Sequence, residues 1–196
     1  MSTVYTIGHS SQTWEEFTGL LSGRQIEVIA DTRSAPYSRF APQFDRGELE
    51  RRLAEVGVKY LFLGSELGGR PADPAYYDSQ GHVLYGRMKS DRGFAAGIER
   101  LERGIGEFRV ALLCGEEDPA HCHRRLLVGR VLAERGHEVL HIRAGGRLQT
   151  DAEVTAESGK PLANAQAALF ADLEEDQWRS TASVSQRRAP ANSSAH

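Results

Sequence analysis

Val110-Ala111-Leu112-Leu113-Cys114-Gly115-Glu116-Glu117-Asp118-Pro119-Ala120-His121-Cys122-His123-Arg124 decides how this chain is read. It starts as a short apolar run, the pattern of a buried strand. Asp118 is a good N-cap and Pro119 suits a first helical position, so a helix is expected over 120–135. Both cysteines, two of the seven histidines and the pair Arg124, Arg125 therefore gather around one strand-to-helix turn. In an open α/β sheet such a turn lies on the edge where ligands bind.

Outward from that turn, strands and helices alternate. Strands are expected at 4–7, 26–30, 58–63, 108–113 and 137–142. Thr13-Trp14-Glu15-Glu16 reads as a capping box that opens the first helix. Asp45 is positioned to cap a second helix over 46–56, and Ser90 or Asp91 a third that runs to about residue 103. Five such alternations argue for an open, mainly parallel five-stranded sheet with helices on both faces, Rossmann-like. A simple order puts strand one between strands two and four. Gly8-His9-Ser10, Asp31-Thr32-Arg33 and Cys114-Gly115-Glu116 would then share one edge, with the tips of strands one and four flanking a crevice.

Residues 1–145 are expected to form this domain. A helical extension is expected over 146–178, with an amphipathic helix through Leu162, Ala165, Leu169 and Leu173. Residues 179–196, rich in Ser, Ala and Arg without hydrophobic period, read as a disordered tail. The loop 34–44 is long for a strand-to-helix link, and 64–89 reads as a lid or rim over the sheet edge.

The chain has 196 residues, 40% hydrophobic and 26% charged, with net charge −3. This suits a soluble globular protein and gives no global attraction to nucleic acid. No apolar run approaches the ~20 residues that span a membrane. No secretory leader precedes the first strand, so a cytoplasmic setting is expected, in which two cysteines stay reduced. There is no Gly-x-Gly-x-x-Gly turn after strand one and no Walker lysine loop, so no cofactor is named by motif.

Seven ordered motifs resemble one family. Thr6-Ile7-Gly8-His9-Ser10, Asp31-Thr32-Arg33, Pro36-Tyr37-Ser38-Arg39, Leu67-Gly68-Gly69-Arg70, Leu113-Cys114-Gly115-Glu116, Cys122-His123-Arg124 and His141-Ile142 are similar to those of the domain of unknown function 488 family. Thr32 and Gly115 stand where that family often has Val and Ala, and Ser11 where Asn is common. The resemblance supports the fold and the site list and implies no reaction.

The candidate catalytic residues are His9, Asp31, Cys114, Glu116, Cys122 and His123. Candidate substrate-binding residues are Gly8, Ser10, Arg33, Ser38, Arg39, Phe40, Gly69, Arg70, Tyr85 and Arg124. In the first turn of a helix, Cys122 would be a low-pKa nucleophile. His9 or His123 would act as base, oriented by Glu116 or Asp31. The arginines suit phosphate, and Phe40, Phe44, Tyr76, Tyr77 and Tyr85 suit stacking on a nucleobase. The expected function is hydrolysis or group transfer on a nucleotide-like or phosphate-bearing small molecule, with local nucleic-acid contact a further option and no membrane partner. Two alternatives stay open. One is a metal-dependent enzyme using Cys114, Cys122, His121 or His123, and His9 around zinc or iron. The other is a nucleotide-sensing module without bond chemistry.

Overall fold

A computed structural model describes residues 2–158 and 177–184. The elements are β1 (Thr3–Gly8), α1 (Trp14–Gly23), β2 (Val28–Asp31), α2 (Arg46–Glu55), β3 (Lys59–Phe62), α3 (Tyr85–Lys89), α4 (Arg92–Glu107), β4 (Val110–Cys114), α5 (Arg130–Glu134), β5 (Glu138–Ile142), β6 (Leu148–Thr150) and α6 (Asp151–Ser158). The sheet has six strands in the order β3-β2-β4-β1-β5-β6. The first five are parallel, and β6 runs antiparallel to β5. The fold is α/β, with one strand more than the five expected. Only three residues long, β6 carries no readable alternation. Gly145 and Gly146 turn the chain into it at φ 79° and 86°, values that favour glycine.

The expected order is corrected. Strand β4 lies between β2 and β1, so β1 is flanked by β4 and β5. Sequential connections do not reveal that β4 returns into the gap between two earlier strands. The shared edge holds all the same, because Gly8 pairs with Cys114 and Asp31 with Leu113.

Alternation on the strands separates two apolar layers. Ile7, Ile29, Ala111 and Leu113 pack with Phe17 and Leu21 of α1 and with Leu49 and Leu53 of α2. Val4, Val28, Val110 and Leu112 pack with Ile98 and Leu101 of α4 and with Val131 and Leu132 of α5. The Thr13 capping box forms as read, with Thr13 N donating to Glu16 (2.8 Å) and Glu16 N donating to Thr13 Oγ1 (3.2 Å). Asp91 caps α4 by accepting from Phe94 N at 3.0 Å.

Two expectations change near the site. The helix expected from residue 120 is interrupted. Asp118 caps only a short turn, Pro119–His121, by accepting from Ala120 N at 3.0 Å. Cys122 is then extended, at φ −100° and ψ 136°. A wide helical turn, Arg124–Gly129, leads into α5. Residues 179–184, read as tail, pack against the body. Ser180 N donates to Val83 O at 2.9 Å, Tyr85 N to Trp178 O at 2.8 Å, and the Trp178 indole to Leu126 O at 2.8 Å. Of the amphipathic helix expected over 161–178, residues 161–176 lie outside the described residues, and Gln177 and Trp178 are not helical. None of the described helices is long and apolar enough to cross a membrane.

Candidate active site

Each strand tip delivers one part of the site. At β1, His9 N donates to Cys114 O (3.1 Å) and Ser10 N to Gly115 O (3.0 Å), which carries the parallel pairing beyond the strands. Gly8 does not line the cleft. It is required for close approach, since a Cβ there would sit 1.8 Å from Glu116 O. The His9 ring stacks on Phe44 at 4.3 Å. Its Nδ1–H donates to Ser10 O at 2.9 Å, and its Nε2 accepts from Arg33 Nη1 at 3.1 Å. Burial, then the Arg33 charge, lowers the His9 pKa, so its ring is held neutral.

At β2, Arg33 closes a two-pronged pair on Asp31, with Nε to Oδ1 at 2.9 Å and Nη2 to Oδ2 at 2.6 Å. The Tyr60 hydroxyl donates to the same Oδ2 at 2.7 Å. Asp31 is therefore occupied by Arg33 and Tyr60 and orients no histidine, a correction to its expected role. Glu116 orients none either. Its Oε1 accepts from Asp118 N at 3.3 Å while the residue lines the cleft.

At β4, Cys114 and Cys122 converge on His123. Both Sγ atoms face His123 Nδ1, at 3.8 and 3.9 Å. His123 Nε2–H donates to Thr32 O at 3.0 Å, which leaves Nδ1 as a lone pair between two sulfurs. Gly69 makes room for this ring, because a Cβ there would lie 2.5 Å from His123 Cγ. Both cysteines are buried and free. The hydrogen bond from the Cys122 thiol, with His123 and Arg124 assisting against burial, holds Cys114 well below the usual thiol range. Burial, followed by its bond to Cys114, pushes Cys122 up. The expected order of acidity is reversed: Cys114 is the readier thiolate. The physical reason is that burial and the bond to Cys114 outweigh what the Arg124 charge and backbone amide offer the Cys122 sulfur.

Arg124 does not line the cleft. It is fully buried and donates to Thr6 Oγ1 (3.2 Å), to Glu116 O and to Glu117 O (2.6 Å). Arg39 and Phe40 also leave the expected set. They stack on each other in solvent, guanidinium carbon 4.9 Å from the ring centre, and do not line the cleft. Phe44 is core, and Tyr76 donates to Asp91 Oδ2 at 2.8 Å.

The cleft has a volume of about 580 Å³. Of the expected residues, His9, Ser10, Arg33, Ser38, Gly69, Arg70, Tyr85, Cys114, Glu116, Cys122 and His123 line it. Sequence reading missed Ser34, whose Oγ accepts from Arg70 N at 2.9 Å, and it missed Tyr37 and the wall made by Ser180, Ala182 and Val184. Tyr37 stood inside a quoted motif and was readable there. Tyr60 and the 180–184 wall carried no signal.

A family model described as domain of unknown function DUF488 matches residues 13–131. The chain belongs to this family. The matched span holds Asp31, Arg33, Gly69 and the Cys114–His123 centre, while Gly8-His9-Ser10 and the 177–184 segment lie outside it. No curated protein and no solved structure matches the chain.

Proposed function

We propose that this member of the family is an enzyme that hydrolyses or transfers a group on a phosphate-bearing, nucleotide-like small molecule. One observation carries the reading: Cys114, Cys122 and His123 converge in a cleft of about 580 Å³, the size of a small-molecule site. The cleft's other polar groups suit an anion. Arg70 and His121 stand with the hydroxyls of Ser10, Ser34 and Ser38, against the single carboxylate of Glu116, while the charge of Arg33 is already met by Asp31. Arg70 is exposed and makes no ion pair among the described residues, so its guanidinium is available to phosphate. Tyr37, 73% exposed, offers a ring face for a base. Of the two histidines, His123 has the free ring nitrogen, because His9 Nε2 already accepts from Arg33. The nucleophile reaches the substrate from the centre, as the Cys114 thiolate or as a water held there.

The test is turnover of nucleoside phosphates by the wild-type chain and by Cys114→Ser and His123→Ala. The expected loss in kcat is about 1000-fold for each, with circular dichroism unchanged. Full activity in both folded variants sinks the reading. A nucleotide that raises the melting temperature and is recovered unchanged points to a sensing module instead.

A further inference from the structure

We infer that Cys114, Cys122 and His123 form a binding site for one zinc-class divalent cation, with a fourth position open to the cleft. The inference stands on the centre itself and not on the substrate class. Two sulfurs and an imidazole nitrogen are the donor set that selects zinc over magnesium or calcium, which seek oxygen. The three donor atoms all lie within 4.8 Å of one another. Around tetrahedral zinc, bonds of ~2.3 Å to sulfur and ~2.0 Å to nitrogen set donors about 3.5–3.8 Å apart. The observed 3.8 and 3.9 Å need a contraction of a few tenths of an ångström, within reach of small χ1 adjustments.

The surroundings are those of a ligating histidine. Its distal N–H is fixed on a backbone carbonyl, and the carbonyl is itself fixed, since Thr32 N and Oγ1 both donate to Leu113 O, at 3.1 and 2.9 Å. Cys114 ends a central strand, and the extended geometry of Cys122 turns its sulfur into the same point. The buried guanidinium of Arg124 meets hydroxyl and carbonyl oxygens and, among the described residues, no carboxylate. It favours negative charge on the sulfurs above it. On binding, the cation replaces the thiol protons, which pass to solvent.

The open position follows from the ligand count. His9 Nε2 is taken by Arg33, and Asp31 is held by Arg33 and Tyr60. Three protein ligands facing a cleft leave a place for water or substrate, the arrangement of a catalytic rather than a structural zinc site.

The experiment is a titration of the full-length chain, stripped by chelator under reductant, with cobalt(II) and then zinc. The expected result is one cobalt per chain, with a thiolate charge-transfer band and intense tetrahedral visible bands, displaced by zinc. Cys122→Ser lowers the charge-transfer intensity by about half and the affinity by about 100-fold or more. Gly69→Ala, which removes no donor, weakens binding about tenfold by displacing the ring. Where a variant fails to fold, the wild type still decides. Bound zinc protects both thiols from alkylation, read by mass spectrometry, and unprotected thiols overturn the inference. So does cobalt bound without the charge-transfer band. Full turnover of nucleoside phosphates by the stripped chain, with no cobalt taken up, overturns the metal and keeps the enzyme. Stoichiometric metal without any phosphate turnover does the reverse.

Discussion

A guanidinium buried with no carboxylate partner among the described residues is costly unless its nitrogens are met, and each nitrogen of Arg124 has an oxygen acceptor, two of them on the loop that shapes the site. Its bonds to Glu116 O and Glu117 O hold the turn between Cys114 and Cys122. Replacing it by Met strands two carbonyls, so Arg124→Met is expected to cost about 3 kcal/mol in urea unfolding. Asp31 poses the converse case. Asp31→Ala leaves Arg33 buried at 7% exposure without its partner, and breaking such a pair costs about 3–5 kcal/mol. Asp31→Asn keeps the hydrogen bonds in part and is expected to lose less. Urea midpoints for the two variants check this, and equal losses would contradict the charge argument. The sequence let His9, Arg33, Cys114, Cys122 and His123 be read as one site, because polar residues at strand tips share an edge in any parallel sheet. It hid which of them touch. Asp31 was read as orienting a histidine, yet Arg33, two residues on along an extended chain, lies closer to it. Arg39 and Phe40 were misread because a loop's direction is set by its contacts, and those of 34–44 run to Asp45 and α2.

Two helix starts were legible, since their caps are local, whereas Asp45 makes no capping bond to α2, its Oδ1 accepting from Ser38 N at 2.7 Å, and Asp118 caps only a short turn. Thr13 and Asp91 needed only three neighbouring residues to be recognised. Position in the sheet was not, because β4 finds its place between β2 and β1 by long-range pairing. The 177–184 segment was the hardest element to read. It docks through backbone groups, which leave no mark in composition, and Trp178 anchors it by its ring. That ring meets Tyr85 edge-on with centres 6.1 Å apart and lies under Arg130 at 4.2 Å. Trp178→Ala is expected to release the segment while the sheet stays intact. Amides of Val83 and Tyr85, which donate to Ser180 Oγ and Trp178 O, should then exchange at least about tenfold faster. Amides of β1 and β4 serve as the control. Unchanged protection at Tyr85 would mean that the backbone bridge, not the tryptophan, holds this wall of the cleft.

For the molecule as a whole, acid is the condition that separates its two kinds of buried polar group. His141 lies in β5 with no exposed surface. Its Nδ1 shares a hydrogen bond with Thr6 Oγ1 at 2.8 Å, and its Nε2 has no hydrogen-bond partner among the described residues, a carboxylate oxygen of Asp151 lying 3.7 Å away. Burial lowers its pKa against the pull of Asp151, and Arg124 and Arg125 add to the lowering. The folded chain therefore resists a proton that the unfolded chain accepts. Stability is unaffected by this group above about pH 6.5 and declines as the pH falls below it. Glu117 has the opposite history. Its carboxylate takes Arg143 Nε and Nη2 at 2.9 and 2.8 Å and Ala144 N at 3.0 Å. Arg143 holds its pKa below the usual glutamate range, so its contribution is full above about pH 4.5 and is lost as the pH drops through the folded value. Acid loss should come in two stages, a gradual one from about pH 6.5 and a steeper one below about pH 4.5 as carboxylates like Glu117 protonate. His141→Phe removes one titrating ring from the first stage, which buried His9 shares, so that stage shrinks and the second remains. Urea midpoints at unit intervals from pH 8 to pH 4 read both stages. A variant that keeps the wild-type slope between pH 7 and pH 5 would place the first stage on another group.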